Sequence, residues 1–364
     1  MSDTLDPAVP AAPERTAPQR TAPERTAPER TAPERTAPER TAKDFASDME
    51  VRWCPGCGDY AILKAAQKTL AELRADPDRT VFLSGIGCAA RFPYYVDTYG
   101  FHTIHGRAAA IATGVKLAQP ELDVWVVSGD GDSLSIGGNH LLHLLRRNVD
   151  LVYLLFNNEV YGLTKGQASP TSPVGHVTPS TPGGSLETPV HAGRYVLGCG
   201  GTFFARVPDV AQAQLVEVMK AAHGHRGTGF VEILQNCIVY HDGAWSTVTD
   251  KRTAPERQLW CRHGEPLRFG EGGARALRLN SAALALEAFT PGLDGGEDEV
   301  LLHDAANPLL ARLLCELDEP LALGVIHRRD AAVLERRHHQ ARATQRRDPA
   351  ALQALLDGAD TWQI

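Results

Sequence analysis

The sequence predicts an α/β fold with a doubly wound, mostly parallel sheet, and two observations support this. Between Val51 and about Arg262, short apolar and β-branched runs alternate with longer stretches of helical periodicity. That alternation is typical of βαβ units, which build a parallel sheet with helices on both faces. Polar, glycine-containing segments follow several of the apolar runs, as expected for the ligand-binding loops of such a sheet.

Four strands are predicted in this region, each a short run rich in Val, Leu, Ile or Phe. In chain order they are TVFLSG at 80–85, DVWVVS at 123–128, DLVYLLF at 150–156 and GFVEIL at 229–234. The predicted helices begin at Asp59 (DYAILKAAQKTLAELRA), Arg107 (RAAAIATGVKLA), Gly138 (GNHLLHLLRR) and Val210 (VAQAQLVEVMKAAH). Residues 166–190 are rich in Pro, Gly, Ser and Thr, and loops of this length in compact domains are usually functional or mobile.

Residues 1–48 are predicted to be a disordered arm, followed by a ligand-binding domain at 49–262. Residues 12–42 repeat a five-residue unit, usually TAPER, with proline and arginine in every unit and no large apolar side chain. Proline removes helix hydrogen bonds, and nothing offsets the entropy of ordering, so we expect no packed structure there.

Residues 263–364 are expected to form a helical C-terminal extension. ARALRLNSAALALEAF at 274–289 and NPLLARLLCEL at 307–317 are predicted as helices. The basic segment at 327–349 is interpreted as a solvated helix face, because Asp330 and Glu335 interrupt its positive charge.

Composition narrows the class of protein. The 364 residues carry a net charge of -7, which gives no electrostatic reason to expect nucleic acid. No apolar run approaches the roughly 20 residues needed to span a bilayer, and no signal peptide is evident. Seven cysteines, an odd number in so long a chain, do not suggest a disulfide framework. These features predict a cytoplasmic protein that binds neither nucleic acid nor membrane.

Two polar segments follow neighbouring predicted strands, GDGD at 129–132 and NNEV at 157–160. A right-handed crossover would bring both to the carboxyl edge of the sheet, so Asp130 and Asn158 are expected to converge. A carboxylate and an amide oxygen suit Mg²⁺, which commonly bridges phosphates, and the glycines let backbone N–H groups approach those phosphates. A single GDG sequence is more often an ordinary turn.

Four of the seven cysteines are expected near the same edge. They are Cys54, Cys57, Cys88 and Cys237. The first two form a C-x-x-C, a spacing used by zinc sites, redox pairs and iron–sulfur clusters, so the spacing leaves all three open. The remaining three are expected to be structural thiols, since cysteine is among the most buried residue types. They are Cys199, Cys261 and Cys315.

Together these motifs resemble the β subunit of the 2-oxoacid:ferredoxin oxidoreductases. GDG followed by NN, with Asn158 28 positions after Asp130, is similar to the thiamine diphosphate motif. Further similar segments are WCPGCGDY, SGIGCAARFPYY, GFHTIHGRA, GDGDSLSIGGNH and LFNNEVYGLTKGQASPTS. The likeness covers about residues 49–250 and is closest to the 2-oxoglutarate branch, although AAR after Cys88 differs from the Ser-rich version of that family. It implies the diphosphate-type thiamine diphosphate-binding fold.

The resemblance also implies roles for individual residues. The Mg²⁺ ligands would be Asp130, Asn158 and the carbonyl of Val160. A 4Fe-4S cluster would be held by Cys54, Cys57, Cys88 and Cys237. Contacts to thiamine diphosphate would come from Ile86, Gly87, Cys88, Ala89, His105, Gly131, Asp132, Gly162 and Leu163. His105 could instead cap the following helix. Arg91 is a candidate for the substrate carboxylate, with a surface ion pair as the alternative.

The activity implied by the resemblance is oxidative decarboxylation of a 2-oxoacid, with 2-oxoglutarate as the expected substrate. Thiamine diphosphate would carry the decarboxylation, the cluster would pass electrons to ferredoxin, and coenzyme A would take the acyl group. An α subunit is expected to supply the activating glutamate, in a heterodimer or heterotetramer. Alternatives are pyruvate or another 2-oxoacid as substrate, a non-redox thiamine diphosphate decarboxylase with structural zinc, and a non-enzymatic zinc-stabilised assembly module.

Overall fold

The computed structural model describes residues 39–343 and 349–358. Its strands, in chain order, are β1 Thr80–Ser84, β2 Tyr99–His102, β3 Asp123–Gly129, β4 Leu151–Asn157, β5 Val160–Tyr161, β6 Gln167–Ala168, β7 Phe203–Pro208, β8 Thr228–Leu234, β9 Gln258–Cys261, β10 Arg268–Phe269, β11 Arg275–Asn280, β12 Ala285–Phe289 and β13 Leu321–Arg328.

The α-helices are α1 Asp59–Glu72, α2 Ala108–Ala118, α3 Gly138–Arg147, α4 Ala192–Gly198, α5 Gln212–His223, α6 Ser246–Thr249, α7 Ala254–Arg257, α8 Pro308–Glu316, α9 Leu334–Ala343 and α10 Pro349–Leu356. A short 3-10 helix, Ala89–Tyr94, follows β1, and a π-helical turn, Asp132–Ile136, follows β3. Among the described residues, no helix is both long and apolar enough to cross a membrane.

The main sheet has eight strands in the order β2-β1-β3-β4-β8-β7-β13-β9. Its pairings are parallel except that between β13 and β7. The predicted α/β fold with a mostly parallel sheet is therefore confirmed. All four predicted strands belong to this sheet, and all four helices predicted between Asp59 and His223 form within a few residues of their expected ends.

The sheet separates two hydrophobic cores, as a doubly wound fold requires. Along β3, Val124 and Val126 face one core and Trp125 and Val127 face the other, following the two-residue period of a strand. The first core also contains apolar residues of α2, α3, α4 and α8, and the second contains those of α1 and α5. The buried strands therefore read as nearly continuous apolar runs, as parallel strands covered on both faces do.

The helix predicted at 274–289 is wrong, because this segment forms the antiparallel hairpin β11–β12. Asn280 Oδ1 accepts hydrogen bonds from the N–H groups of Ala282 (3.1 Å) and Ala283 (3.0 Å), which closes the turn. Arg278 on β11 pairs with Glu287 on β12, 2.6 Å between nitrogen and oxygen. Turn chemistry and cross-strand pairing thus override the helix propensity of the alanines and leucines. The helix predicted at 307–317 does form, as α8.

Residues on both sides of the predicted central domain contribute to its packed structure. The repeat up to residue 38 lies outside the described residues, and Phe45, near the end of the predicted arm, is fully buried in the second core. At the other end, β13 lies inside the main sheet, between β7 and β9. A strand from the predicted C-terminal extension thus contributes to the main sheet. Much of α9 is exposed, as expected for a solvated helix, although Glu335 is buried.

Candidate cofactor site

Four loops meet at the carboxyl edge of the main sheet. β1, β3, β4 and β8 are consecutive parallel neighbours in it. The loops that follow them contain Cys88, Asp130, Asn158 and Cys237, respectively. The structure therefore brings to one edge the residues that the sequence placed at the ends of separate strands.

Asp130 is almost fully buried at the end of β3, with 2% of its surface exposed. Its Oδ2 accepts hydrogen bonds from the hydroxyls of Ser169 (2.5 Å) and Thr171 (2.6 Å), both from the long loop at 166–190. Burial raises the pKa of the Asp130 carboxyl to about 6, and the two hydroxyls oppose this shift. Because these side-chain donors are neutral, a bound cation would offset the buried negative charge.

Thr171 also connects Asp130 to a second buried polar group. Its Oγ1 lies 3.0 Å from Asn157 Oδ1, and the Asn157 amide donates to Glu232 Oε1 (2.8 Å). Glu232 forms a buried ion pair with Arg206, 2.7 Å from Nε to Oε2. The Asn157 amide nitrogen is thus paired with a buried carboxylate, and Thr171 lies beside the Asn157 amide oxygen.

The turn after β4 contains Asn158 and Val160. Asn158 is partly exposed, and its Oδ1 accepts a hydrogen bond from the Val160 N–H (3.2 Å). Between them, Glu159 has a φ of 58° and its carbonyl accepts a hydrogen bond from Ser172 Oγ (2.6 Å). The loop at 166–190 is therefore bonded both to Asp130 and to this turn, which fixes the two predicted metal-binding segments relative to each other.

Asp132 is also buried, but protein donors surround its carboxylate. Oδ1 accepts from the N–H groups of Gly106 (2.7 Å) and Ile86 (3.2 Å) and lies 2.5 Å from His105 Nδ1. Oδ2 accepts from Ser128 Oγ (2.5 Å). Asp132 thereby orients the His105 ring, which is 39% exposed. The residue at the N-cap of α2, Arg107, makes no side-chain capping hydrogen bond.

Two glycines permit this packing. A Cβ on Gly131 would lie 2.1 Å from the Tyr161 ring, whose hydroxyl donates to the Gly131 carbonyl (3.2 Å). A Cβ on Gly85 would lie 1.7 Å from Asp132 Oδ2. Side chains at these positions would collide with groups that shape the site, so the absence of a Cβ is required for the close approach.

All four cysteines assigned to the cluster line one cavity of about 210 Å³. This is far more than the roughly 10–15 Å³ that a single water needs. Trp53 Nε1 donates to the Cys88 carbonyl (2.8 Å), and Gly58 N–H donates to the Asn236 carbonyl (3.1 Å), which holds the C-x-x-C segment against the loops after β1 and β8. The two halves of the predicted ligand set therefore come together.

The thiols of this cavity suit a cationic centre. Burial, reinforced by the nearby Asp59 charge, raises the pKa of Cys57 well above its usual range and that of Cys88 to about 12. Burial also raises the pKa of Asp59 to about 7. A metal centre in the cavity would supply the positive charge that stabilises the thiolates, since the thiolate is the metal-binding form.

Four thiolates can hold either a single Zn²⁺ ion or an iron–sulfur cluster. The four thiols border one cavity. Within residues 39–343 and 349–358, no three or more His, Cys, Asp or Glu side chains form a group that could hold a metal ion.

The remaining predicted contacts fall into two groups. Ile86, His105 and Asp132 are joined by hydrogen bonds, with Gly131 beside them. Arg91, Gly162 and Leu163 line the thiol cavity instead. A Cβ on Gly162 would lie 3.5 Å from Cys237 Sγ and 3.6 Å from Cys88 Sγ. Of the loop residues next to Cys88, Gly87 has a φ of 142° and its carbonyl accepts a hydrogen bond from the Ala90 N–H (3.2 Å), whereas Ala89 is buried in the 3-10 helix.

The other three cysteines lie away from this cavity. Cys261 and Cys315 are buried in the first core, and Cys199 packs against it while partly exposed. Their expected structural role agrees with this packing. All seven cysteines are free thiols.

Sequence reasoning assigned no role to Ser169 and Thr171, although both lie in the quoted segment GQASPTS. The loop that contains them is rich in hydroxyl residues and follows the predicted Mg²⁺-binding turn closely in the sequence. That feature could have indicated that its hydroxyls contact the site. Gln235 also lines the thiol cavity. Its place there could not be predicted from the sequence, because it depends on how β8 ends.

The chain is similar in sequence to known thiamine diphosphate-binding proteins. Residues 85–233 match the family of thiamine pyrophosphate enzymes, C-terminal TPP binding domain. The chain is 48% identical over 332 residues to the 2-oxoglutarate oxidoreductase subunit KorB of Mycobacterium tuberculosis, covering 88% of each protein. It is 49% identical over 190 residues to the beta subunit of 2-oxoacid:ferredoxin oxidoreductase 1 of Aeropyrum pernix, covering 52% of this chain and 60% of that one.

The chain is also similar to a solved structure of an enzyme of this kind. The 2-oxoglutarate:ferredoxin oxidoreductase of Magnetococcus marinus, with 2-oxoglutarate, coenzyme A and succinyl-CoA bound, superposes with a TM-score of 0.71 at 31% sequence identity. The match covers 88% of this chain and 97% of the compared chain. The similarity therefore extends over nearly the whole of both folds.

Proposed function

The chain belongs to the beta subunits of the 2-oxoacid:ferredoxin oxidoreductases, and from this membership we propose that it acts in the oxidative decarboxylation of 2-oxoglutarate to succinyl-CoA. It contains a thiamine diphosphate-binding domain. We further propose that Mg²⁺ and a 4Fe-4S cluster bind at this edge of the sheet, and that electrons leave to ferredoxin.

One observation carries the proposal: a single segment borders both halves of the site. Asn158, in the turn proposed to hold Mg²⁺, also lines the thiol cavity, together with Gly162 four residues later. A cofactor bound at that turn would lie beside a centre in the cavity, which suits one-electron chemistry. When bound, thiamine diphosphate supplies the carbanion chemistry of decarboxylation, and the cluster accepts single electrons.

The proposed ligands follow from this geometry. Asp130, Asn158 and the Val160 carbonyl would hold Mg²⁺, because hard oxygen ligands suit that ion. Cys54, Cys57, Cys88 and Cys237 would hold the cluster. The two sets share no residue, so each metal centre can be removed separately by substitution.

His105 and Asp132 have a positioning role in this proposal. Because a carboxylate oxygen accepts, the His105 Nδ1–H donates to Asp132 Oδ1, which leaves Nε2 for a ligand. The ring is partly exposed and faces the ligand-binding edge. His105 can therefore accept or return a proton at Nε2, while the N–H groups of Ile86 and Gly106 keep the Asp132 carboxylate fixed.

Arg91 is the proposed contact for a substrate carboxylate. It lines the thiol cavity with Asn158, and a guanidinium binds carboxylates through two parallel hydrogen bonds. The preference for 2-oxoglutarate over pyruvate would depend on a second basic contact for the distal carboxylate. That contact could come from this chain or from its partner.

We propose an α subunit as the partner that completes the site. Two large apolar side chains near His105 are exposed: Ile104 (74%), which precedes it in the chain, and Ile136 (50%), which lies beside Gly106. Exposed apolar side chains at a ligand site are typical of a protein interface. In this proposal the subunit that carries the activating glutamate binds at this surface.

The test is co-expression with the α subunit, followed by anaerobic assay of viologen reduction with 2-oxoglutarate, pyruvate and branched 2-oxoacids. We expect activity that depends on coenzyme A, is highest with 2-oxoglutarate and is absent from the chain alone. Turnover by the chain without an α subunit would contradict the partner proposal. Equal rates with pyruvate would contradict the substrate proposal.

Metal analysis of the same preparations tests the cluster. We expect iron and acid-labile sulfide in the wild type, their loss in Cys54→Ser and their retention in Cys199→Ser, whose thiol is distant from the cavity. Thiamine diphosphate binding should survive in Cys54→Ser, because the proposed Mg²⁺ ligands are untouched. A colourless protein with stoichiometric zinc would favour the non-redox alternative.

A further inference from the structure

Gln235 is a buried polar residue between the thiol cavity and the proposed Mg²⁺ turn. It is the first residue after β8, is 1% exposed, and lines the cavity with the four cysteines. Its backbone N–H donates to the Asn157 carbonyl (2.9 Å). A buried amide side chain must find hydrogen-bond partners, so the contacts of this side chain need an explanation.

The orientation of the Gln235 amide follows from its neighbours. The amide atom of Gln235 that lies 2.7 Å from the Asn236 carbonyl oxygen must be the nitrogen Nε2, because a carbonyl oxygen needs a donor and only the NH₂ group of the amide can donate. That nitrogen has a second hydrogen, and it lies 3.3 Å from Cys57 Sγ. The side chain therefore directs one N–H to a backbone carbonyl and the other to a predicted cluster ligand.

The rest of the Gln235 side chain supports this interpretation. Its Oε1 is buried and accepts no hydrogen bond from the part of the chain that the structure describes. Rotating the amide by half a turn would place an oxygen against the Asn236 carbonyl, which is repulsive, so the N–H toward sulfur is the stable arrangement. The Asn236 carbonyl also accepts from the Gly58 N–H, which keeps Cys57 in place.

We propose that Gln235 is a positioning residue that raises the reduction potential of the proposed cluster through an N–H···S hydrogen bond to Cys57. This rests on the proposed function, because it requires a cluster on that thiolate. Reduction adds one electron and one negative charge to the cluster. A hydrogen bond to a ligand sulfur stabilises the more negative state, and such bonds are among the features that set cluster potentials.

The test is an anaerobic redox titration of the co-expressed complex, monitored by electron paramagnetic resonance. Dithionite supplies one electron per cluster through mediators, and no proton transfer to Gln235 is involved. In Gln235→Leu, which removes the donor and keeps a similar volume, we expect the potential to fall. A tenfold change in the one-electron equilibrium corresponds to about 59 mV.

Two further variants make the result decisive. Gln235→Glu keeps the shape and places a carboxylate beside sulfur, so we expect a larger fall. Gln212→Leu is the matched control, because the Gln212 amide donates to the carbonyls of Asp209 (2.7 Å) and Ala61 (3.2 Å) and to no cysteine. We expect its potential to equal that of the wild type.

The outcomes separate this inference from the proposed function. A wild type without iron and sulfide would overturn the proposed cluster, and this inference with it. Full iron and unchanged potentials in both Gln235 variants would overturn this inference alone. Loss of iron in both variants, with Gln212→Leu fully loaded, would also overturn it, since Gln235 would then retain the cluster and not tune it.

Discussion

At the scale of single residues, two buried carboxylates near the end of β3 differ in what surrounds them. Asp132 is bonded to two backbone N–H groups, an imidazole and a serine hydroxyl. Asp130 receives two side-chain hydroxyls, and both go to Oδ2. Donors on both oxygens make Asp132 an orienting group. Both hydroxyls bond to the same oxygen of Asp130, and burial raises the pKa of this carboxyl to about 6. A cation at this position would offset the charge of the buried carboxylate.

The hydroxyls of Ser169 and Thr171 should therefore control the affinity for Mg²⁺. We expect Thr171→Val combined with Ser169→Ala to weaken Mg²⁺ binding by about 10–100-fold, the usual effect of removing groups that orient a metal ligand. The measurement is calorimetric titration of the complex with thiamine diphosphate at a series of Mg²⁺ concentrations. Thr188→Val is the matched control, because Thr188 is an exposed hydroxyl residue in the same loop. An unchanged Mg²⁺ dependence in the double variant would contradict this role.

At the scale of elements, the thiol cavity depends on how the start of α1 docks. Gly58 precedes α1, is buried, and has helical dihedral angles that any residue can adopt. A Cβ there would lie 1.9 Å from Asp209 Oδ2, and Asp209 is held by the Asn236 N–H (2.9 Å). The glycine is thus required by its surroundings and not by its backbone conformation.

Gly58→Ala should displace the C-x-x-C segment from the other two cysteines. We expect a loss of about 1–3 kcal/mol in the free energy of unfolding, typical of overpacking, together with lower iron content per chain. Gly114→Ala is the control, since a Cβ there meets nothing within 4 Å and alanine favours a helix. Thermal unfolding measures the stability of both variants, and iron analysis measures their iron content per chain. If Gly58→Ala has the same iron content as the wild type, displacement of the C-x-x-C segment does not affect the cluster, which would contradict this prediction.

The elements also show what the sequence could and could not predict. Buried parallel strands such as β3 and β4 are uniform apolar runs, so both the strands and the loops after them were predictable, including the positions of Asp130 and Asn158. The β11–β12 hairpin was not, because its Ala and Leu content favours a helix while the Asn280 turn and the Arg278–Glu287 pair decide the structure. The Ser169 and Thr171 contacts could not be predicted either, since the path of a long loop depends on tertiary packing.

At the scale of the whole molecule, the chain after residue 262 completes the sheet that carries the site. β13 pairs with β7 on one side and with β9 on the other. Its residues Ala322, Leu323 and Ile326 are fully buried. β7 in turn pairs with β8, whose end positions Gln235 and Cys237. The strands that bear functional loops are therefore supported by a strand from far along the sequence.

Truncation tests this dependence. A chain ending at residue 262 would lose β13 and α8 and would expose the apolar surface of β7. Burial of each Leu or Ile side chain contributes about 1.5–3 kcal/mol, and domains are stable by only about 5–15 kcal/mol. We therefore expect this chain to be insoluble or to lack a cooperative thermal transition measured by circular dichroism.

A chain ending at Ala343 is the matched control for that truncation. It keeps β13 and α9 and removes α10, whose Leu352, Leu355 and Leu356 are exposed. Because little apolar burial is lost, we expect a melting temperature close to that of the full chain and full iron content after co-expression. Cooperative unfolding of the chain that ends at 262, with its cysteine cavity still able to take up iron, would show that the later residues are a dispensable addition. The position of β13 inside the sheet predicts the opposite, because removing it opens an edge next to the strands that hold the site together.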